Sequence, residues 1–514
     1  MSGYLRRLAT TGAAYTAASI VSKLIAVALL PLYTRYLTKG DYGAAEVMFA
    51  AVVSASIVIR LGMVEALLRF YYRDDEDPDR VIGTSFAALF WFATLAALIA
   101  LPFAGPISDA LLAHSSPDLA RIAIGGLWVL TISEYLLTLF RLEERAKAFF
   151  VTTVLSVFGA IGLTVVLVVG MEEGARGLLI GSYASGAVIV LALILIHRRR
   201  LSLRFERPLL RRLLRFGLPT MPAELSLYGL NFVDRIIIVH AAGLPEAGLY
   251  SLAVKFAQGV NVLVRGFQLA WPPLAYSIRD DDEARRVYAT VVTLFVAGCA
   301  FVVTGMWLLS RWIVRALAAP EFFGSYKAIG LLATAATLYA LYMVLVVILG
   351  RTGRTEFNFP ATGAALAANI ALNLILVPPL GIVGAGLALV ASYIVVLALM
   401  YVFTQRLFPV PYEWGRLLRV LTVSAGLVGL GELLLPTEGF VGFVLRLAFA
   451  LAYPLALLAT GFFTRAERHW LARLRHPSEV LAGLQALRPA APGVDGSVPE
   501  TYEVEQMDED SRFS

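Results

Sequence analysis

Charge and cysteine are both scarce in this chain. Only 16% of its 514 residues are Asp, Glu, Lys or Arg, against about a quarter in soluble domains. So little charge cannot cover a water-facing surface, and the 59% hydrophobic content is that of a membrane protein. Cys299 is the one cysteine, which excludes an intrachain disulfide framework and a cysteine-based metal site. Five histidines are scattered and build no cluster. HExxH, the Walker A loop, the Rossmann glycine fingerprint and the nucleophile elbow are all missing. No extramembrane stretch is long enough to house ATP hydrolysis or glycosyl transfer. A metalloenzyme, an ATP-driven pump and a glycosyltransferase are thereby disfavoured. The net charge of +6 does not point to nucleic acid, because the arginines lie in short segments between apolar runs.

What is present in quantity is apolar runs of about 20 residues, the length that crosses a bilayer as a helix. Fourteen stretches qualify: 10–34, 43–70, 81–104, 119–141, 148–170, 175–197, 216–241, 248–278, 287–310, 324–350, 357–379, 382–405, 416–436 and 440–464. The first follows Arg6 and Arg7 as a signal peptide would. It holds Lys23, runs about 25 residues and lacks a small-residue cleavage site, so it reads as a retained span. The fold class is therefore an all-α integral membrane protein. Its expected organisation is an N-lobe over 1–197, a basic linker over 198–215, a C-lobe over 216–405, two further spans over 406–464 and a tail over 465–514. The linker places eight arginines against Glu206 alone and should be cytoplasmic, which puts both termini on that side. Within it, leucines at 209, 210, 213 and 214 alternate with arginines in the pattern of an amphipathic surface helix. The tail opens with a similar basic segment and ends rich in Pro, Gly, Asp and Glu, as disordered chains are.

The two halves repeat. Asp41-Tyr-Gly43 and Glu246-Ala-Gly248 both sit between a first and a second span of a half, at an offset of 205. Gly174-Ala-Arg-Gly177 matches Gly381-Ile-Val-Gly384 at 207. Six spans per half insert the same way up, so the relating axis should follow the membrane normal, with the site between halves. Arg60 falls on Arg265 at the first offset. Arg60 lies near the middle of its apolar run, where a charge costs about 2.5–3.5 kcal/mol, so it should face a cavity or a partner. Arg60, Arg265, Lys23 and Arg69 together suggest a cationic chamber for a phosphate or diphosphate, which arginine grips bidentately. Glu65 is four residues from Arg69 and can pair with it. Asp234, next to Arg235 but on another helix face, pairs with a cation or carries a coupling proton or sodium ion. Glu134 and Glu224 share that choice. Arg141, Lys255 and Arg279 stand near span ends and should snorkel to the interface.

These residues resemble a known family. Leu29-Leu-Pro-Leu-Tyr-Thr-Arg35-Tyr-Leu-Thr-Lys-Gly-Asp-Tyr-Gly43 is similar to the opening of Wzx-type polysaccharide flippases, as is Leu61-Gly-Met-Val-Glu-Ala-Leu-Leu-Arg69-Phe-Tyr. Asn369-Ile-Ala-Leu-Asn373-Leu-Ile-Leu-Val-Pro378-Pro-Leu-Gly381-Ile-Val-Gly384 is the most specific match. The family belongs to the multidrug/oligosaccharidyl-lipid/polysaccharide exporter superfamily, with the lipid II flippase and the MATE exporters. The resemblance implies two six-helix lobes forming a V, plus two further helices. It implies flipping of an undecaprenyl-diphosphate-linked sugar across the bacterial cytoplasmic membrane, between glycosyltransferases that make it and a polymerase that uses it. In the lipid II branch the last two helices help form a groove for the lipid tail. That branch's serine-arginine element on the first helix resembles Ser22-Lys23, where lysine keeps the charge and loses the fork. The readings to set against it are a MATE-like antiporter for cations, which requires an anionic lumen, and a membrane scaffold that transports nothing.

Overall fold

In the computed structural model of the chain, residues 29–72, 77–464 and 467 are described. They are helical, with no strand among the described residues. Residues up to Leu457 form one compact unit and Leu458–Ser514 a second. In the second unit the Thr464 amide donates to Glu467 Oε2 (2.7 Å) and the Glu467 amide to Thr464 Oγ1 (3.3 Å). That reciprocal pair has the bonding pattern of a capping box. The basic segment and acidic tail expected after it lie outside the described residues.

The N-lobe begins with α1 (Leu30–Tyr36), the end of the first expected span, whose remainder with Lys23 lies outside the described residues. It continues through α2 (Lys39–Arg60), α3 (Met63–Phe70), α4 (Pro78–Ala100), α5 (Ala104–Leu112), α6 (Pro117–Leu142), α7 (Ala146–Val165) and α8 (Gly174–His197). The linker helix α9 (Arg207–Gly217) leads to α10 (Met221–Ala242), α11 (Leu244–Ala257), α12 (Val260–Ser277), α13 (Asp281–Leu317), α14 (Tyr326–Arg351) and α15 (Asn358–Leu407). Two more elements follow, α16 (Trp414–Leu434) and the bent pair α17 (Gly439–Leu451) with α18 (Tyr453–Ala459). Among the described residues ten helical segments are long and apolar enough to cross a membrane, eleven if the bent pair is one span. The remaining expected spans are the first one, which lies mostly outside the described residues, the broken pair α11–α12, and the second arm of α15, which bends at Gly381 (φ 55°, ψ −134°). The protein is a multi-pass membrane protein of two pseudo-symmetric lobes with additional C-terminal helices.

Two apolar runs that read as single spans are broken. Residues 43–70 split at Leu61 and Gly62, both left-handed (φ 48° and 68°). Arg60 is therefore the last residue of a 22-residue helix, long enough at 1.5 Å per residue to cross the hydrocarbon by itself. The expectation that Arg60 lies mid-run is corrected to the end of the span. The cause is a tight seat: a Cβ on Gly62 would fall 2.1 Å from the Gly217 carbonyl oxygen, so the break receives the end of α9. Residues 248–278 break at Gln258–Gly259 instead, eight residues before the position equivalent to Gly62, so Arg265 lies inside α12.

The helix α9 buries Leu209 and Leu213 and leaves Arg207, Arg211, Arg212 and Arg215 exposed. The linker before it is tied to the N-lobe by Arg80, which donates to Glu206 (Nε to Oε1, 2.9 Å). That hydrogen bond holds the Glu206 carboxyl below the ordinary glutamate range. Arg200 adds a bond to Glu143 Oε1 (2.7 Å).

The repeat is visible as geometry. A Cβ on Gly43 would lie 2.2 Å from the Leu244 oxygen, and one on Gly248 would lie 2.2 Å from the Lys39 oxygen. Helices α2 and α11 thus touch backbone to backbone at reciprocal positions, and 39 to 244 is the same offset as 43 to 248. Gly174 (φ 54°) packs on the Asp41 carboxylate and Gly381 (φ 55°) on that of Glu246, again as counterparts.

Candidate functional site between the lobes

Helix α2 supplies one wall of the site. Glu46, Phe49, Ala50, Val53 and Ser54 recur at three- and four-residue spacing, which places them on one face. That face lines a cavity of about 580 Å³. The opposite wall comes from the C-lobe, with Tyr228, Asn231 and Arg235 on α10, Asn261 on α12, Tyr339 on α14 and Tyr393 on α15. The lining mixes aromatic hydroxyls and amides with one guanidinium and the carboxylates of Glu46 and Glu224, so the cavity is polar in what it offers and aromatic in its bulk.

Two ion pairs cross between the lobes, one from each end of this face. Lys255 Nζ donates to Glu46 Oε1, joining α11 to α2, and the ammonium stands 5.2 Å from the Tyr42 ring centroid. Lys255 was expected to snorkel; it is instead part of the inter-lobe contact, because its partner Glu46 is only 7% exposed and needs a cation beside it. At the other end Arg60 Nη2 donates to Glu224 Oε1 on α10 (3.2 Å). Its Nη1 stands 2.8 Å from Glu134 Oε2 on α6, an ion pair without hydrogen-bond geometry, and its Nε reaches the Ser56 oxygen at 3.4 Å. The guanidinium, 13% exposed, is engaged on all three nitrogens in this conformation. Glu65, half-buried, adds a third carboxylate that acts on both Glu134 and Glu224. The cluster around Arg60 is thus acidic in sum.

Asp234 and Arg235 face different ways. Asp234 is fully buried and accepts from Tyr250 Oη (2.6 Å) and Asn373 Nδ2 (2.7 Å). Asn373 Oδ1 and both amide atoms of Asn369, buried beside it, make no hydrogen bond with a described residue. Arg235 turns to the cavity, its Nε donating to Ser251 Oγ at 3.1 Å. Arg265 is exposed and acts electrostatically on Tyr228 and Tyr339, and its own side chain is not among those that line the cavity. Arg69 is exposed, with its guanidinium 4.4 Å from the Phe216 ring of α9. It is thus at the linker and away from the cavity lining. Lys23 lies outside the described residues. No group of three His, Cys, Asp or Glu side chains that could hold a metal ion occurs among the described residues.

Sequence reasoning passed over Glu46, Glu432 and Arg446, and named Arg235 only as the neighbour of Asp234. Arg446 is fully buried, pairs with Glu432 and donates to the Pro436 oxygen at 3.0 Å, which ties α17 to α16. The rule that picked out Arg60, a charge inside an apolar run, applies equally to all four.

Comparison with known proteins follows the same line. Residues 32–319 match the family described as "Polysaccharide biosynthesis protein". The succinoglycan biosynthesis transport protein ExoT of Rhizobium meliloti (strain 1021) is 24% identical over 320 residues, covering 59% of this chain. The chain matches 61% of that relative's length. Among solved structures, the lipid II flippase MurJ in an inward closed conformation superposes with a TM-score of 0.69 at 15% identity, covering 88% of this chain and 98% of that one. A multidrug resistance MATE family transporter of the MOP superfamily, facing inward, gives 0.63 at 16% identity, covering 75% and 95%. At these identities the likeness establishes the fold.

Proposed function

Because the chain belongs to the polysaccharide biosynthesis protein family, we propose that it is a flippase for a lipid-linked oligosaccharide, an undecaprenyl-diphosphate-linked repeat unit. It moves this substrate across the bacterial cytoplasmic membrane by alternating access, with both termini cytoplasmic. The observation that carries the reading is the polar inter-lobe cavity with an inter-lobe ion pair at each end. Such a pair is a closure that can be undone without unfolding a lobe. Opening one end and shutting the other exposes the cavity to each face in turn.

The sugar meets the tyrosine and amide lining, which suits hydroxyl groups and the apolar faces of pyranose rings. The diphosphate is assigned to Arg60 and Arg265, with Lys23 and Arg69 on its path, and Arg235 in the cavity wall joins them. Arg60 is held by glutamates in the present arrangement. It takes the diphosphate only after that cluster opens, so substrate binding and gate opening compete for one guanidinium. Asp234, buried with under-used amides beside it, is the group for a coupling proton or sodium ion; Glu134, Glu224 and Glu65 serve as pairing groups. Glycosyltransferases supply the substrate at the inner face and a polymerase consumes it at the outer.

Proteoliposomes carrying a fluorescent lipid-linked sugar test this. The double variant Arg60→Ala with Arg265→Ala is expected to flip at least about tenfold more slowly than the unsubstituted protein, the loss of a charged contact or two. Equal rates would refute the cationic chamber. The acidic cluster favours one rival, a MATE-like exchanger of cations. Efflux of a cationic dye by the same vesicles, with no flipping of the lipid-linked sugar, would establish that reading instead.

A further inference from the structure

Beside the polar cavity lies a second one of about 520 Å³ whose lining is almost wholly apolar. Its walls come from α2, α5 and α6 of the N-lobe and from α10 and α15 of the C-lobe. Ser54 is its one polar side chain, and that hydroxyl is spent on the Ala50 oxygen at 3.0 Å. The cavity exists because small residues line it, with Ala51, Ala55, Ala120 and Ala123 on the N-lobe side and Gly229 opposite. Leu101–Phe103 also turns the chain between α4 and α5, so that Ala100, Ile107 and Leu111 form one end. Val58 on the wall is 41% exposed, so the cavity opens outward. In a membrane-spanning segment that surround is hydrocarbon.

The two cavities share a wall: Ser54 and Phe232 line both. One space therefore offers hydroxyls, amides, a guanidinium and two carboxylates, and the adjoining space offers carbon apart from the Ser54 hydroxyl. We propose that the second cavity takes the hydrocarbon tail of the same molecule whose polar head occupies the first, entering along the seam between the lobes. The occupant is a polyprenyl chain, and the proposal rests on the flippase reading. The tail seat then belongs to α2 and α10, the elements that carry Arg60 and Glu224, and not to α16, α17 and α18. Filling and emptying of the apolar cavity would accompany opening of the ion-pair cluster because both are built on the same two helices.

The test uses the full-length protein in proteoliposomes with two substrates of identical head group, one undecaprenyl-tailed and one geranyl-tailed. Ala55→Phe narrows the cavity without touching a charged side chain, and Ala51→Leu is the milder second variant should the first fail to fold. The ratio of long-tailed to short-tailed flux is expected to fall about tenfold in either folded variant. A long-tailed substrate with a diazirine on an isoprene unit close to the diphosphate should label peptides of α2 and α10, and Ala55→Phe should abolish that label. An unchanged flux ratio, or labelling confined to 414–459, overturns the tail seat while leaving the flippase reading intact. Labelling of α2 by a diazirine phospholipid that the long-tailed substrate does not compete away also overturns it, making the cavity a membrane-lipid niche. If the unsubstituted protein flips neither substrate, the flippase reading fails and the tail seat with it.

Discussion

Glu46 and Lys255 show what a buried charge does when its partner comes from the other lobe. Glu46 is 7% exposed, and an uncompensated carboxylate at such a site is strongly destabilising. Lys255→Met should therefore lower stability by about 3–5 kcal/mol, because it strands the carboxylate. Glu46→Leu combined with Lys255→Met should recover most of that loss, since two packed apolar side chains replace a desolvated pair. Thermal unfolding of the purified single and double variants in detergent checks both; an equally destabilised double variant would show that the pair does more than neutralise itself. The same logic explains what the sequence could and could not reveal at this scale. Arg60 is legible as an expensive charge in an apolar run. Its partners are not, because Glu224 lies 164 residues away along the chain and no local spacing relates them. The arginine expected to face a cavity or a partner is, in this conformation, the centre of an acidic cluster.

At the scale of elements, the offset of 205 was legible and its physical meaning was not. Two glycines in matching turns look like punctuation. In the structure each removes a side chain so that α2 and α11 can meet through their backbones, with a Cβ at either one landing 2.2 Å from a carbonyl oxygen. Backbone cannot swing aside as a side chain can. Gly248→Ala should thus force the lobes apart at that crossing and destabilise the protein by about 1–3 kcal/mol, the usual range for overpacking. Ala247→Gly, one residue away on the same helix and also buried, should cost only the smaller helix-propensity difference of about 1 kcal/mol. Comparing their unfolding midpoints separates the crossing from ordinary helix effects. The helix breaks, by contrast, were hidden. Leu61–Gly62 sits in an unbroken apolar run, and a lone glycine there is compatible with a continuous helix. What breaks it is Gly217, brought to within a Cβ's reach from the far side of the linker. The corresponding stretch in the C-lobe has no such seat at the equivalent place and breaks earlier. Arg60 and Arg265 are thereby counterparts by offset and differ in local surroundings.

For the whole molecule, apolar composition alone was enough to read an all-helical membrane protein, because long apolar runs in a bilayer must satisfy their backbone internally. The interface between lobes was not readable, since it depends on which face each helix turns inward. That interface carries the strongest mechanistic consequence. Both ion pairs tie the same two bodies, Glu46–Lys255 near the start of α2 and Arg60–Glu224 at its end. In the proposed orientation, with the linker cytoplasmic, the Arg60 end faces the cytoplasm. In a two-state exchange, weakening one tie must populate the state open at that end and deplete the state open at the other. Asn231 lines the cavity between them. A cysteine at Asn231, with Cys299→Ala removing the native thiol, therefore reports access from either face to a membrane-impermeant maleimide. Arg60→Gln should raise the labelling rate from the cytoplasmic face and lower it from the outer face, the ratio of the two rates changing about fivefold for a tie of about 1 kcal/mol. Lys255→Met should do the reverse. Oriented vesicles of both polarities supply the measurement. If either substitution raised labelling from both faces together, the lobes would be loosening as a sieve, and exchange between two closed-ended states would be the wrong description of how this cavity changes sides.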